Sequence, residues 1–457
     1  MLNAATYKRL VQEAPEAVMV RTVLEHALEA DAVDEVFEES RDDQYTRTLL
    51  FSSIVDLMAL VVCRVRRSVS AAFTLYRDRF TVSLKSIYNK LNATDSAVCT
   101  ALFRHTADRM LRVVKELGVA EQPLLPGYHT RIVDGNQFAA TEHRIKELRT
   151  IAGGPLPGKA LVVWNADLGL ISDLYCSEDS YTQERRMVLD LLAKVQQGEL
   201  WIADRNFCTA ATLWEIHNNR AFFIIRRHAQ NVRFRVTGPE QRVGVSETGV
   251  VSETPVAIED DFGGSFDARL VRVELKSATR DGVTSIELLT NLPPTVTALK
   301  VADTYRERWQ LETVFFELDR VFNGEIKALG HPGAALLAFT MSLIAYNALR
   351  VVRTALAAVH GQQAADRVSD YYFTELVISD WRALNIFASP EDWTEKFANA
   401  TPRAIAAALK GAAKHVDMER IRKTTRGPKK PPPKRTDYRR RPHVSTYRVL
   451  RSRRQAK

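Results

Sequence analysis

The apolar positions between residues 305 and 322 repeat with the period of an α-helix. Leucine, valine and phenylalanine recur at steps of three and four residues, at Leu311, Val314, Phe315, Leu318 and Phe322. This spacing predicts a helix that packs one apolar stripe against a core.

The polar residues beside that stripe are also in register. At about 100° per residue, one narrow arc of the helix contains Tyr305, Arg308, Glu312 and Asp319. A solvated helix face would scatter its charges. A tyrosine, an arginine and two acids kept in register next to the buried edge therefore indicate the wall of a site.

The pattern between residues 130 and 293 alternates between strand and helix periods. Strands are predicted within 130–138, twice within 160–177 around a tight turn at 167–169, and over 200–207, 221–227 and 285–293; helices are predicted over 182–199 and 210–219. Residues 229–285 break this rhythm with alternating apolar and basic positions punctuated by Gly and Pro. This segment predicts a small β insertion within an α/β unit.

The chain on both sides of this unit has helical patterns. Within residues 1–125, the segment 83–105 predicts two short helices broken at residues 92–95, where Thr94 or Asp95 could cap the second helix. Such a pair is either a helix-turn-helix that contacts DNA or an ordinary packed pair, and both interpretations stay open. Further helices are predicted from 333 to about 421.

The basic charge of the chain is concentrated at its C-terminal end. The 457 residues carry 64 Lys or Arg against 55 Asp or Glu, a net charge of +9. Residues 422–457 contain 15 of these basic residues and one acid, a net charge of +14, so the first 421 residues carry −5. A basic, proline-containing tail of this kind is typical of segments that bind anions, above all nucleic acid.

Cysteine usage and hydropathy favour a protein of the reducing cytosol. The four cysteines show neither CxxC nor paired spacing, which argues against a disulfide framework or a zinc site. No signal peptide is predicted at the start of the sequence. The most apolar run, 334–349, has 16 residues, which is too short to span a bilayer and predicts a buried helix. We therefore expect a soluble protein without a membrane partner.

Three carboxylates occupy places suited to metal chemistry. Asp134 and Asp204 each end an apolar strand, where side chains emerge at the edge of a sheet, and Glu312 lies on the helix after the sheet. Any one of them alone is more often a turn former, a helix cap or a solvated acid than a ligand. Together they form an oxygen-rich set that suits Mg²⁺ or Mn²⁺.

Three motifs give the chain a resemblance to a known family. DGNQF at 134–138, ADRNF at 203–207 and YRERWQLETVFFEL at 305–318 occur in this order around the β insertion. They resemble the DDE transposases of insertion-sequence family four, whose helix signature is a Tyr, an Arg three residues later, the catalytic Glu four further and a Lys seven beyond that. Tyr305, Arg308 and Glu312 match this signature, and the Lys position holds Asp319.

The resemblance covers roughly residues 125–360 and implies an RNase H-like fold. This is an α/β fold with a mixed sheet flanked by helices, a β-rich insertion, and helical N- and C-terminal regions. The implied units are a helical domain that binds DNA ends (1–125), the first part of the catalytic core (126–228), the insertion (229–285), the second part of the core with the Glu helix (286–360), a helical region for dimerisation or DNA contact (361–421) and the basic tail (422–457).

The same resemblance implies a chemistry. Asp134, Asp204 and Glu312 would hold two Mg²⁺ or Mn²⁺ ions, and Tyr305 and Arg308 would contact a DNA phosphate near the cut. The protein would cleave double-stranded DNA at the inverted-repeat ends of a transposon and join them to target DNA. It would act as a homodimer in the cytoplasm of a prokaryote, in association with the nucleoid.

Aromatic residues bear on the route of that reaction. In well-known relatives, joining passes through a DNA hairpin, beside which a flipped base is held by aromatic stacking. The insertion here contains no Trp, but it contains three other aromatic residues, Phe234, Phe262 and Phe266. A hairpin step is therefore compatible with the sequence. Trp309, next to Arg308, is expected either to contact DNA or to pack in the core.

Asp319 departs from the family pattern. A carboxylate in place of a phosphate-facing Lys would repel DNA by roughly 1 kcal/mol or more. Arg320 or Lys327 could reach the phosphate instead, or Asp319 could pair with Arg308 and orient it. A third possibility is a weakened copy, although all three carboxylates are present and favour activity.

Other functions fit part of the sequence. One is a non-catalytic DNA-binding repressor derived from a transposase, and another is an RNase H-like nuclease that cuts without joining strands. A glycosidase with paired acids also fits the carboxylates, but it leaves the basic tail and the phosphate-facing Arg unexplained.

Overall fold

The structure is a computed structural model. It describes residues 2–42, 44, 48–120, 123–141, 145–148, 154–228, 230–260, 263–279, 282–326, 328–424 and 427, with the backbone alone at 319 and 382.

One mixed sheet of ten strands organises the chain. The strands are β1 (His129–Gln137), β2 (Lys159–Asn165), β3 (Leu170–Ser177), β4 (Glu199–Ala203), β5 (Phe222–Arg226), β6 (Phe234–Val236), β7 (Gln241–Val245), β8 (Gly249–Glu259), β9 (Ser265–Leu275) and β10 (Ser285–Thr290). Their order is β3-β2-β1-β4-β5-β10-β9-β8-β6, with β7 paired to β8. The α/β fold class, a mixed sheet flanked by helices, is confirmed.

The first five strands follow from local sequence. β1 is rich in β-branched residues, and β2 and β3 form the expected hairpin, in which Gly169 adopts a φ of 66° at the turn. β1 pairs antiparallel with β2 and parallel with β4, and β4 pairs parallel with β5. The two parallel pairings bring the carboxyl ends of β1, β4 and β5 toward one edge of the sheet.

The segment predicted as a β insertion continues the same sheet. β10 pairs antiparallel with both β5 and β9, so β6–β9 extend the core sheet outward. β8 and β9 run side by side over 11 residues each. At Gly249 of β8, an added Cβ would lie 1.9 Å from the carbonyl oxygen of Glu274 in β9. Only glycine can occupy that position without moving the backbone.

Helices surround the sheet. They are α1 (Ala4–Glu13), α2 (Pro15–Ala27), α3 (Ala30–Ser40), α4 (Phe51–Val62), α5 (Val69–Leu75), α6 (Leu84–Asn92), α7 (Ser96–Leu117), α8 (Glu184–Leu192), α9 (Ala210–Asn218), α10 (Ala298–Arg306), α11 (Trp309–Val321), α12 (Pro332–His360), α13 (Gln362–Asp366), α14 (Asp370–Phe387), α15 (Pro390–Phe397) and α16 (Pro402–Ala413). Short 3₁₀ turns lie at 77–79, 146–148 and 205–207.

The central helix is α12. It is 29 residues long, so the predicted buried helix over 334–349 was too short, because its helical pattern continues past the apolar run to His360. By length and composition α12 could cross a membrane, but 94% of its apolar 18-residue stretch is buried inside the protein. It packs against α7, α2, α4 and α16, as expected for the core helix of a folded chain.

The N-terminal and C-terminal helices pack together. α2 contacts α14, α15 and α16, and α7 contacts α16 as well as α3 and β3. The prediction of two short helices over 83–105 was wrong for the second one, since α7 runs for 22 residues. Asp95 occupies its N-cap position without a side-chain capping bond, whereas Thr94 donates to the carbonyl oxygen of Lys90. α7 is thus packed into this bundle.

Two other predicted helices have different bounds. The helix predicted over 182–199 is α8, which ends at Leu192, because the amides of Lys194 and Val195 bond three residues back and tighten the chain into a turn before β4. The helix predicted through 305–319 is divided into α10 and α11. Between them, the amides of Glu307 and Arg308 also bond three residues back, to Thr304 and Tyr305.

Candidate active site

The register of the parallel strands places Asp134 beside Asp204. Ile132 of β1 is paired with Ile202 of β4. Two residues further along the chain, Asp134 still lies on β1, whereas Asp204 directly follows the end of β4, and neighbouring strands are spaced about 4.8 Å apart. Because side chains alternate across a strand, both acids share the side on which Ile132 and Ile202 join the main core.

Asp134 was predicted at the end of a strand, and this was wrong in part. β1 continues to Gln137 through its antiparallel pairing with β2, in which Asp134 faces Val162. β4 ends at Ala203, however, so Asp134 is the first carboxylate on β1 beyond the end of its parallel neighbour. The aspartate is therefore held by a paired strand on one side and opens toward Asp204 on the other.

Glu312 reaches the same side of the sheet on α11. Leu311, Val314 and Leu318 of this helix are buried in the core cluster that includes Ile132 and Ile202. The apolar stripe predicted for this helix thus anchors α11 to β1. Glu312 follows the buried Leu311 and remains 34% exposed.

Arg308 joins two of the three acids. It donates from Nη1 to Asp134 Oδ2 over 2.9 Å and from Nη2 to Glu312 Oε1 over 2.7 Å. Arg308 and Asp134 are each 17% exposed, so this ion pair lies largely out of solvent. The turn between α10 and α11 supplies the geometry, because it places Arg308 at the N-terminal end of the helix that carries Glu312.

Burial shifts the pKa values of this cluster. It raises the pKa of Asp134 to about 7, with the neighbouring charges of Asp204 and Glu312 acting in the same direction and Arg308 acting against them. Burial alone would lower the pKa of Arg308, but Tyr305, Asp134 and Glu312 together raise it. The three acids therefore bring negative charge together in a partly desolvated site, and the positive charge of Arg308 compensates it.

Tyr305 lies at the last turn of α10 beside this cluster. Burial raises the pKa of its hydroxyl, whereas Arg308 and Arg226 lower it and Asp204 raises it. Tyr305, Arg308 and Glu312 are therefore brought together as the helix signature implies, although they belong to two helices and the turn between them.

Asp204 begins a short turn after β4. Its Oδ1 accepts a hydrogen bond from the backbone amide of Asn206 over 2.8 Å, which caps the 3₁₀ turn at 205–207. Asp204 thus has the turn-forming role common for an aspartate at a strand end. Among the residues that the structure describes, none donates a hydrogen bond to its other oxygen, so capping and ligation are compatible.

The donor set suits a divalent metal ion only after a rearrangement. Three carboxylates with oxygen ligands match the preference of Mg²⁺ or Mn²⁺. Among the described residues, no three His, Cys, Asp or Glu side chains are placed as a metal cluster. The Arg308 guanidinium lies between Asp134 and Glu312, so a cation shared by these two oxygens requires Arg308 to move.

The remaining predicted DNA-contacting residues lie along α11. Trp309 is 64% exposed, which excludes core packing for it, and Phe316 of the same helix is 65% exposed. Arg320 is exposed eight residues after Glu312, about 12 Å along the helix axis. The side chain of Asp319 and all of Lys327 lie outside the described residues. The Arg308 guanidinium is bonded to Asp134 and Glu312.

The phenylalanines of the insertion are largely committed to packing. Phe266 is 7% exposed, and its ring stacks on His217 with centroids 4.1 Å apart. Phe234 is half-buried, with the Arg227 guanidinium 4.8 Å from its ring centroid. Phe262 lies outside the described residues. Phe266 is thus not available to stack on a base in this conformation.

Sequence reasoning missed a fourth carboxylate near the site. Glu184, in the first turn of α8, accepts a hydrogen bond from the side chain of Asn206 over 3.2 Å. It precedes Asp204 by 20 residues on a helix that also carries Arg185, Arg186 and Asp190, so nothing in the sequence distinguished it from its charged neighbours. Two neighbours of Glu184 lie in the motifs described above, Asn206 in ADRNF and Gly135 in DGNQF. These motifs are the signal that could have drawn attention to the surroundings of the two residues.

Comparison with known proteins relates the middle of the chain to transposases. A family model described as the transposase DDE domain matches residues 126–348, slightly less than half of the chain. A search of curated proteins found no match. A cryo-EM structure of a piggyBac transposase synaptic complex with hairpin DNA is similar over 88% of this chain and 86% of that chain, at 12% identity and a TM-score of 0.41. The segment that matches the transposase DDE domain contains Asp134, Asp204 and Glu312.

Proposed function

We propose that this protein is a metal-dependent DNA transposase that cleaves the inverted-repeat ends of its element and joins them to target DNA. The observation that carries the proposal is the meeting of three acids from distant parts of the chain. Asp134 lies on β1, Asp204 directly follows the end of the adjacent strand β4, and Glu312 is linked to Asp134 through Arg308. All three lie within the segment matched by the transposase DDE domain.

In this proposal the three acids hold divalent metal ions, two per site as in insertion-sequence family four. Such ions lower the pKa of the attacking water or hydroxyl and neutralise the charge of the leaving oxygen. The chain supplies the positions of the ligands: β1 fixes Asp134, the turn after β4 fixes Asp204, and the apolar face of α11 fixes Glu312.

Arg308 and Tyr305 have roles on the DNA. A phosphate in the site offers Arg308 a new acceptor, so that the guanidinium exchanges the two carboxylates for phosphate oxygens. The Tyr305 hydroxyl can donate a hydrogen bond to the same phosphate, since a tyrosine is protonated at neutral pH and burial raises the pKa of Tyr305 further. Both residues then orient the scissile strand while Asp134 and Glu312 become available to the metal.

The partners follow from the same proposal. The substrates are double-stranded transposon ends and target DNA, bound by a homodimer in the cytoplasm of a prokaryote. The basic segment 422–457 adds charge that attracts DNA regardless of its sequence.

The test uses the full chain, Mg²⁺ and a DNA fragment that carries the terminal repeats flanking its gene. Cleavage at the repeat ends followed by joined product is expected, and Asp134→Asn should abolish both. Cleavage without joining would establish a nuclease instead. Binding that is unchanged by Asp134→Asn, with no cleavage by the unsubstituted protein, would contradict the catalytic proposal and favour a DNA-binding repressor.

A further inference from the structure

Two motif residues with no part in the proposed chemistry converge on one side chain. Gly135 follows Asp134 in DGNQF, and Asn206 lies two residues after Asp204 in ADRNF. Both contact Glu184 at the start of α8. Glu184 is 18% exposed and so lies mostly within the protein.

On the Asp204 side the contact is a hydrogen bond. The Asn206 amide donates from Nδ2 to Glu184 Oε2 over 3.2 Å. The backbone amide of the same Asn206 donates to Asp204 Oδ1 over 2.8 Å. Asn206 therefore connects Glu184 directly to the turn that orients Asp204.

On the Asp134 side the contact depends on the absence of a side chain. A Cβ added at Gly135 would lie 2.4 Å from Glu184 Oε1 and 2.7 Å from its Cδ. The backbone amide of Gly135 donates to Asp134 Oδ1 over 3.0 Å. Glycine at 135 thus leaves the space in which the Glu184 carboxylate rests, one residue from Asp134.

The contact lies on the face of the sheet opposite Arg308 and Glu312. Gly135 lies on the same face of β1 as Val133, two residues earlier, and Val133 belongs to the second core cluster together with Met187 and Val188 of α8. Lys159 stabilises the arrangement, with its Nζ 3.8 Å from Glu184 Oε1 and bonded to the carbonyl oxygen of Thr182. The carboxylate is therefore fixed by a neighbouring charge and by the start of its helix.

We propose that Glu184 is a positioning residue that holds the Asp134 strand and the Asp204 turn at a fixed separation. It acts from behind the sheet and contacts neither DNA nor metal. The inference rests on the proposed function in so far as Asp134 and Asp204 are metal ligands. When a residue that orients a metal ligand is removed, the affinity of the site for its metal typically falls.

The test compares Glu184→Ala, Gly135→Ala and the double variant. Gly135→Ala has ordinary backbone geometry in β1, but its methyl group displaces the Glu184 carboxylate and so reproduces the loss of Glu184. We expect each single variant to raise the Kd for Mn²⁺ about tenfold, measured by electron paramagnetic resonance without DNA. The double variant should raise it no further, because both changes remove the same contact.

Hydrogen exchange supplies a readout that needs no metal. In EDTA, both single variants should speed exchange of the Asn206 amide, followed by mass spectrometry of a peptide that contains 204–208. Glu184→Gln retains the acceptor for Asn206 and should restore slow exchange. Glu178→Ala removes an exposed acid shortly before α8 and should leave both readouts unchanged.

Two results would overturn the inference. One is unchanged exchange at Asn206 in Glu184→Ala, and the other is a double variant whose Kd is the product of the two single effects. Failure of the proposed function has a different signature, since the unsubstituted protein would then neither bind Mn²⁺ nor cleave DNA, while the exchange experiment would still decide the role of Glu184.

Discussion

Arg308 donates a hydrogen bond from Nη1 to the Oδ2 of Asp134 over 2.9 Å, and its second terminal nitrogen binds Glu312. The arginine that the helix signature assigns to a DNA phosphate is thus bonded, in the free protein, to two of the acids assigned to metal. A guanidinium and a divalent cation are alternatives for the same oxygens. Metal binding and release of Arg308 should therefore be coupled.

Arg308→Gln should increase the affinity for Mn²⁺ in the absence of DNA. The substitution removes a positive charge that competes with the cation, an effect of a few kcal/mol at short range near a protein surface, so that a gain of about tenfold or more is expected. Titration with Mn²⁺ by electron paramagnetic resonance measures it.

The same variant should bind terminal-repeat DNA more weakly, because a phosphate contact is lost. Arg205→Gln is the matched control, since it removes an exposed positive charge next to Asp204 without breaking the ion pairs of Arg308. Weaker Mn²⁺ binding by Arg308→Gln would show that Arg308 organises the acids for metal and does not compete with it.

Glu312→Gln should reduce DNA cleavage by roughly a thousandfold or more, because loss of a ligand removes several kcal/mol of charge stabilisation in the transition state. Glu307→Gln, in the turn before α11, is the matched control and should retain cleavage. Rates with Mg²⁺ on terminal-repeat DNA give the comparison. Equal rates for the two variants would remove Glu312 from the site.

The sequence predicted the end of the strand before Asp204 better than the end of the strand that carries Asp134. Asp204 follows a short apolar strand that is buried throughout, so the end of the apolar run is the end of β4. At Asp134 the same argument failed, because the end of an apolar run does not end a strand whose backbone is still paired: β1 continues to Gln137 along β2. Pairing partners distant in sequence determine such boundaries.

The helix signature shows the same limit. The period of Leu311, Val314 and Leu318 correctly gave the buried face of α11. It could not give the turn at Glu307 and Arg308, because the residues there have ordinary helix propensity and the change is only from four-residue to three-residue hydrogen bonds. The contact of Glu184 with Gly135 likewise depends on tertiary packing across the sheet.

Two helical glycines should respond oppositely to alanine. At Gly333 in α12 an added Cβ would lie 2.3 Å from the carbonyl oxygen of Thr94, so Gly333→Ala must push α12 away from the turn between α6 and α7. At Gly411 in α16 nothing lies within 4 Å. Gly411→Ala should therefore stabilise the protein by about 0.5–1 kcal/mol through backbone entropy, and Gly333→Ala should lower its thermal midpoint. A midpoint that rises in both variants would contradict the packing at Gly333.

His26 should make the helical bundle sensitive to acid. Burial lowers its pKa to about 4, and the nearby charges of Arg109 and His105 act in the same direction. Between pH 6.5 and 4 the unfolded chain binds a proton at His26 that the folded chain does not. The contribution of His26 to the free energy of unfolding is therefore fully present above pH 6.5 and is lost as the pH falls toward 4. In urea unfolding, the free energy of unfolding of the unsubstituted protein should fall by about 3 kcal/mol more over this range than that of His26→Leu. His415→Leu, at an exposed position, should keep the full dependence.

The start of the basic tail is packed on the bundle. Arg422 forms a β-bridge with Val368, the Lys423 amide donates to Arg367 over 2.7 Å, and Thr424 lies 3.2 Å from the Tyr372 hydroxyl oxygen. Residues 428–457 lie outside the described part of the chain and carry 12 of the basic residues. Truncation after Gly427 therefore removes most of the charge and spares these contacts.

That truncation should flatten the dependence of DNA binding on salt. Each phosphate neutralised by a basic side chain contributes about 0.9 to the slope of log K against log salt, so loss of several contacts should lower the slope by several units. A full-length variant with Gln at the same 12 basic positions should match the truncation, because it removes charge and keeps length. If only the truncation changes the slope, the tail acts through something other than its charge; if neither does, it makes no contact with DNA phosphates.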